Sequence, residues 1–578
     1  MLSLFRCWCA TLFAVLLTLP AVHASDESLS RYLPAGAVGT LEGRGWSEVV
    51  TRLEESELVK AILASPNYKE FIDSPQGRKV RGGIAVAQVQ YGKDLWSMTR
   101  DLIGDRWIVG VYAPESGDKP VVLGLIRTES PEIATHIRTR LEPLVQLTAD
   151  KVKTEEIDGG GLRLVNVDGS AMILQDRWIA VSNQRSLVDQ VEAALRSDAG
   201  GNLAASEAWK KARHSDRGDT KLEAWADYDR IRELLQQDRL LPDKLDNPLA
   251  SLLLGGVVEY VSHADYLTAT LDLGESSWGL EAFVPGKPAE IDAAHQTLLP
   301  PVPTDLQTRL GPQAASISIV RDWAAWYGQR ESLMIEQILP EFDKFETGLA
   351  TFMPGKDFRA DVLPLFSKRL QIISAPQSFA HLEGRPGVQL PGTAIIVELE
   401  QPEQASDLLQ MVFQTITAVV NLQAGQEKRI PWVMSSETYK DVQLSYAKYL
   451  QTPKGADLPI AFNFQPSSAR VGRHFIMATS QDLCRQLIDA MQSPPGASSG
   501  QAADRPDWSF EVVPAVVADL LESNRAIIEA KAVQDGRSAD QAANGLNDAL
   551  NLLRRLRPVS LSSTLQPDGY VWRFQGGW

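Results

Sequence analysis

Gly92-Lys93-Asp94 recurs as Gly355-Lys356-Asp357, and an arginine stands fourteen residues beyond the glycine each time, Arg106 in the first copy and Arg369 in the second. Working outward, Trp46 in Gly45-Trp46-Ser47 matches Trp323 in Asp322-Trp323-Ala324. Helices are expected to end at Ala61-Ile62-Leu63 and at Gln337-Ile338-Leu339. Beyond the anchor, Trp107-Ile108-Val109-Gly110-Val111 and Leu370-Gln371-Ile372-Ile373 read as strands because they are rich in β-branched residues. Val122–Ile126 and Thr393–Val397 read as their hairpin partners, and Pro131-Glu132 and Pro402-Glu403 each open a helix, where the missing proline N–H costs nothing. Arg177–Leu195 then runs parallel to Arg473–Met491, with Leu187/Leu483, Gln190/Gln486 and Ala194/Ala490 in register. Each half closes on paired strands, Tyr266–Phe283 in one and Val559–Phe574 in the other.

These matches keep their order, and their shifts fall in loops. The period is 369 − 106 = 263 residues at the arginines and 473 − 177 = 296 further on. Solenoid units are roughly 20–50 residues long, so this period is that of a duplicated domain. The expected organisation is a signal peptide over 1–24, lobe one over 32–284, a proline-rich linker over 285–303 and lobe two over 304–578. Strands alternate with helices but also pair as neighbouring hairpins, as in Gly161–Val167 with Ser170–Val181. That order gives an α+β fold class: two tandem homologous lobes, each a mainly antiparallel sheet covered by helices.

The start of the chain reads as an address. Arg6 supplies positive charge, Ala10–Leu19 is an apolar run, and Val22-His23-Ala24 is a small-x-small cleavage signal. A run that short does not span a bilayer, which takes about 20 apolar residues. Cleavage after Ala24 removes Cys7 and Cys9 of the 3 cysteines and leaves Cys484 alone, which excludes an internal disulfide. An exported chain without disulfides suits a bacterial envelope. Loss of Arg6 deepens the net charge from −16 to −17. Nucleic-acid binding needs a basic face to neutralise phosphates, and this chain shows none.

Chemistry is sparse. Six histidines follow Ala24: His136, His214, His263, His295, His381 and His474. They form no His-x-x-x-His pair or HExxH, so no zinc signature is legible. No P-loop, no Gly-x-Ser-x-Gly elbow and no GxGxxG after a strand occurs. Asp158-Gly159-Gly160-Gly161 lies between strand-like segments and reads as a hairpin turn in preference to an anion nest. Arg217-Gly218-Asp219 reads as a surface loop. Asp94 and Asp357 admit two readings, a carboxylate pair for acid–base work or helix N-caps following a free-backbone glycine. Capping is preferred, since structural residues persist in both copies of a repeat. Cys484, opposite Val188, reads as a small buried residue. Ser65 and Ser206 read as caps preceding aromatic-Lys pairs. Trp323 and Trp326 share one helical face with Tyr327, as core or as an aromatic groove of the sort that holds sugars.

Leu33-Pro34-Ala35-Gly36-Ala37-Val38, Asn202-Leu203-Ala204-Ala205-Ser206 and Asp357–Phe366 carry a likeness. On them the mature chain resembles a group of exported bacterial proteins classed as a domain of unknown function. Lobe one departs from the third pattern, having Met98-Thr99 where lobe two has Asp361-Val362. The resemblance implies an exported, duplicated α+β protein and no particular activity. The sequence therefore leads to an exported, periplasmic or extracellular, non-catalytic binding or scaffold protein, with an envelope ligand or protein as partner. Its alternative is a glycan- or peptide-acting hydrolase with carboxylates in an inter-lobe cleft. No residue is assigned to catalysis, cofactor or metal, and no cofactor is expected.

Overall fold

The computed structural model of this chain describes residues 28–114, 119–146, 151–157, 160–197, 202–212, 220–287, 289, 291–299, 308, 310–350, 352–427, 429–452, 455, 457–493 and 506–578. The expected signal peptide over 1–24, Asp158-Gly159, His214 and Arg217-Gly218-Asp219 lie outside them. The chain is α+β and divides into two compact units, residues Met1–Leu240 with Ala264–Pro285, and residues Leu241–His263 with Gly286–Trp578.

The first unit contains β1 (Ala37–Arg44), β2 (Arg106–Tyr112), β3 (Val121–Arg127), β4 (Val152–Ile157), β5 (Gly161–Asn166), β6 (Ala171–Gln175), β7 (Trp178–Ser182), β8 (Thr220–Asp227), β9 (Tyr266–Leu273) and β10 (Ser277–Pro285). Every pairing is antiparallel, in the order β4-β5-β6-β7-β3-β2-β1-β8-β9-β10. Side chains alternate between the faces of a strand. Ile108, Leu123, Leu125, Ile173 and Ala180 therefore enter one core, closed by Leu187, Val188 and Val191 of the helix Arg185–Ser197. Trp107, Val109, Ile126, Met172 and Ile179 enter the other, with Trp46 and Ile137. Burial on both faces explains why β2 reads as an unbroken apolar run.

The second unit contains β11 (Ala315–Val320), β12 (Phe366–Ala375), β13 (Arg385–Pro386), β14 (Gly392–Leu399), β15 (Trp432–Tyr439), β16 (Val442–Tyr449), β17 (Asp457–Leu458), β18 (Ser467–Val471), β19 (His474–Ala478), β20 (Trp508–Val512), β21 (Val559–Gln566) and β22 (Gly569–Gly577). Its antiparallel order is β15-β16-β18-β19-β14-β12-β11-β20-β21-β22. Strand by strand this is the same sequence of connections as in the first unit. The short strands β13 and β17 form a separate parallel pair. Cys484 is fully buried on the helix Gln481–Gln492, as Val188 is on the helix Arg185–Ser197 of the first unit.

Three expectations are corrected. At Gln337-Ile338-Leu339 only a short 3-10 turn, Glu336–Ile338, ends, and Leu339 begins the helix Leu339–Ala350, whose first turn tolerates Pro340. The segment Leu241–His263, expected in lobe one, belongs to the second unit. There the carbonyls of Leu252 and Leu253 accept from Arg321 at 2.9 and 3.3 Å, and Ser251 accepts from Trp326 Nε1 at 3.3 Å. Gly255 and Gly256 of the helix Pro248–His263 lie so close to Leu298 that a Cβ on either would come within 2.8 or 3.0 Å of it. Finally, the described part of the expected linker over 285–303 is packed, with Ile291, His295, Leu298 and Leu299 buried. Apolar side chains, which the prolines overshadow in the sequence, decide that segment.

Candidate functional site

The repeat anchor proves local in both units. Gly92 and Gly355 sit at φ +80° and +75°, in the left-handed region where glycine carries no Cβ penalty. Asp94 then accepts from Ser97 N at 3.0 Å and caps the helix Leu95–Ile103. The hydrogen bond from the Ser97 hydroxyl holds its carboxyl below the usual range. Asp357 accepts from Ala360 N at 2.6 Å and caps a π-helical turn, Phe358–Val362, which runs into a tight 3-10 turn at Leu363-Pro364-Leu365. Ser65 and Ser206 also cap, accepting from Tyr68 N and Trp209 N at 3.2 Å. Each carboxylate of the suspected acid–base pair is thus engaged by its own helix start.

What Asp357 positions is Phe358. Its ring meets Tyr327 and Phe345 edge-on, with centroids 5.2 Å away in both cases. Tyr327 also meets Phe342 at 5.6 Å, and Trp326 lies 6.0 Å from Phe342. The Tyr327 hydroxyl donates to Glu346 at 2.5 Å, and burial followed by that carboxylate raises its pKa. These rings line an open cavity of about 470 Å³, together with Trp323, Phe366 and the sheet residues Leu370 and Val397. Glu341, Ser367 and Arg369 supply the few polar groups. Phe345 is 49 % exposed at this site. The cavity falls in the ordinary size range for small-molecule sites and has their usual lining, aromatic walls with few polar groups.

The corresponding tryptophan of the first unit behaves otherwise. Trp46 is buried edge-on against Trp107, with centroids 5.3 Å apart, and donates to the Lys221 carbonyl at 3.2 Å. The first unit has instead a polar groove of about 500 Å³ lined by Glu132, His136, Thr139 and Arg140. His136 is engaged there, its Nε2 lying 2.7 Å from the Tyr91 carbonyl. Cys484 has no reactive setting, because burial pushes its thiol up to about 12.

One cluster escaped the sequence. Asp243, Glu259 and His295 place their donor atoms within 4.8 Å of one another. They come from a loop, a helix and a 3-10 turn, spaced far from any zinc signature. The only legible trace was Glu259 and His263 at i, i+4 on one helix face.

No protein-family model and no curated protein matches this chain. Among solved structures, crystal forms III, IV and I of TP0453 are similar over 45 % of this chain. They are covered over 81, 81 and 79 % of their own length, at 10, 9 and 11 % identity and TM-scores of 0.23, 0.24 and 0.23.

Proposed function

We propose that this chain is an exported, non-catalytic binding protein of the bacterial envelope, built from two tandem copies of one α+β lobe, and that the second copy holds an apolar ligand among its aromatic rings. The single observation that carries the binding role is the cavity of about 470 Å³ walled by Trp323, Trp326, Tyr327, Phe342 and Phe358. A dry apolar cavity of roughly 150 Å³ accommodates benzene. By that measure the site takes a molecule of about three such rings.

The duplication is supported by the two identical strand orders and by the Gly-Lys-Asp caps at equivalent points in each. It also gives the cavity meaning. One copy closes its tryptophan against Trp107, whereas the other leaves Trp323 on an open wall. Export rests on the leader pattern over 1–24, and the absence of catalysis on the local engagement of Asp94 and Asp357.

The test is titration of the mature chain with a neutral, polarity-sensitive aromatic probe such as N-phenyl-1-naphthylamine, following tryptophan quenching. Saturable binding is expected at one site per chain. Phe345→Asp should weaken it by at least tenfold without unfolding, because that ring is already half exposed and a carboxylate would be desolvated by the probe. Unsaturable binding, or binding indifferent to Phe345→Asp, overturns the proposal.

A further inference from the structure

From residue 57 to residue 86 only Gly77 is buried among the described residues, yet the stretch is helical almost throughout. It forms the helices Glu57–Ala64, Pro66–Asp73 and Pro75–Tyr91. Each opens on a serine cap: Ser56 accepts from Val59 N at 3.5 Å, Ser65 from Tyr68 N at 3.2 Å and Ser74 from Gly77 N at 3.0 Å. Gly77 lets the third helix lie on the second, because a Cβ there would come within 2.0 Å of the Phe71 carbonyl oxygen. Isolated helices shorter than about 12–15 residues are marginal in water, and most helical stability comes from burying an apolar face. The first two of these helices have 8 residues each and bury no described side chain.

Their apolar side chains stay in contact with solvent. Ile62, Leu63, Phe71, Val80, Val86 and Val89 are all exposed, Val89 to 79 %. Single apolar residues scattered over a surface are ordinary, but six on successive helices that bury almost nothing mark an interaction surface. The charges among them select the partner. From Glu57 to Tyr91 the stretch carries Lys60, Lys69, Arg78, Lys79 and Arg81 against Glu57, Glu70 and Asp73, a balance of 5 − 3 = +2 in a chain of net charge −16. No acidic residue stands between Asp73 and Tyr91. Lys60 pairs with Glu57 at 3.1 Å and Arg81 with Asp73 at 3.3 Å. Lys69, Arg78 and Lys79 are exposed and meet no carboxylate among the described residues. A protein partner needs a rigid face of matching shape, and these helices have little core to hold them to one. A bilayer asks only for apolar side chains that reach below the headgroups and for cations beside anionic ones. Among the described residues no helix is long and apolar enough to cross a membrane, so the contact is with the interface.

We infer that the helices Glu57–Ala64, Pro66–Asp73 and Pro75–Tyr91 form a docking face for the surface of an anionic phospholipid bilayer. The exposed apolar side chains enter the interface, and Lys69, Arg78 and Lys79 meet lipid phosphates. This inference rests on the first unit alone, stands apart from the aromatic cavity and survives its failure.

The experiment is sedimentation of the chain with vesicles of phosphatidylcholine, or of phosphatidylcholine mixed with phosphatidylglycerol. Residues 1–24 are omitted so that their apolar run does not itself bind lipid. Each cation near an anionic surface contributes about fivefold, so three predict roughly a hundredfold tighter binding to the phosphatidylglycerol vesicles, weakened by salt. Val86→Asp/Val89→Asp should weaken that binding at least about tenfold, and because both residues are exposed its Tm should match that of the natural chain. Arg78→Glu/Lys79→Glu should remove the preference for anionic vesicles. Equal binding to the two kinds of vesicle, binding to neither, or binding unchanged in either variant overturns the inference. So does self-association without lipid that Val86→Asp/Val89→Asp abolishes while vesicle binding persists, since the face would then belong to a second copy. If Val86→Asp/Val89→Asp does not fold, Arg78→Glu/Lys79→Glu and the salt series still decide.

Discussion

Asp507 is the place where one substitution should cost most. Its carboxylate accepts from Arg321 Nη1 at 3.0 Å, from Ser563 Oγ at 2.5 Å and from the Tyr570 hydroxyl, and Asp507 and Arg321 are each only 1 % exposed. Asp507→Ala leaves a buried guanidinium without its counter-charge and two hydroxyls without their acceptor. Removing one partner of a buried pair typically costs about 3–5 kcal/mol. Arg321 retains the carbonyls of Val320 at 2.7 Å, Leu252 at 2.9 Å and Leu253 at 3.3 Å, which places the expected loss at the lower end, about 3 kcal/mol. With a urea m-value of about 3 kcal/mol/M, the midpoint should fall by about 1 M. Tryptophan fluorescence reports it, since Trp508 adjoins Asp507 and stacks edge-on with Trp572 at 5.4 Å. The double variant Arg321→Met/Asp507→Leu should cost less than the sum of its single changes, with a coupling of about 0.5–3 kcal/mol. A shift below about 0.3 M for Asp507→Ala would refute the reasoning, because the carbonyl cradle would then hold the arginine by itself.

Asp94→Ala and Asp357→Ala should each lower stability by about 1 kcal/mol, the usual value of an N-cap, in denaturant melts. A loss of ligand binding in Asp94→Ala would revive a functional role for that carboxylate. At Asp322, burial pushes the carboxyl up, but the Ala325 N–H and the Lys368 ammonium outweigh it and hold it below the usual range. Its stabilisation is complete above the ordinary aspartate pKa of about 3.9 and disappears as pH falls through the lower folded value. Between pH 5 and pH 2, Asp322→Asn should therefore show a flatter loss of denaturant midpoint than the natural chain, and parallel curves would count against the cap. The Cys484 thiol should resist a disulfide reagent such as DTNB in the native mature chain and react at one equivalent in denaturant, whereas rapid native reaction would contradict its burial.

How much was legible depended on whether the signal was local. The caps at Asp94, Asp357, Ser65 and Ser206 were readable because a cap is set by a side chain and a backbone N–H three residues apart. The strands around Trp107 and Ile395 were readable from β-branched runs, and Cys484 from its alignment with Val188. Leu339 was misread because the match to Ala61-Ile62-Leu63 carried a helix end across the repeat, whereas here a 3-10 turn runs straight into a new helix whose first turn accepts Pro340. The placement of Leu241–His263 could not be read, because it rests on carbonyls meeting Arg321 some seventy residues away.

By itself, then, the sequence determined the α+β class, the antiparallel hairpins and the helix starts, since periodicity and capping act over a few residues. Tertiary structure alone decided that Trp323 walls an open cavity while Trp46 is sealed in a core, because that depends on which rings arrive from Leu339–Ala350 and from the turn after Asp357. It alone brought Asp243, Glu259 and His295 together, since they come from a loop, a helix and a 3-10 turn far apart in the chain.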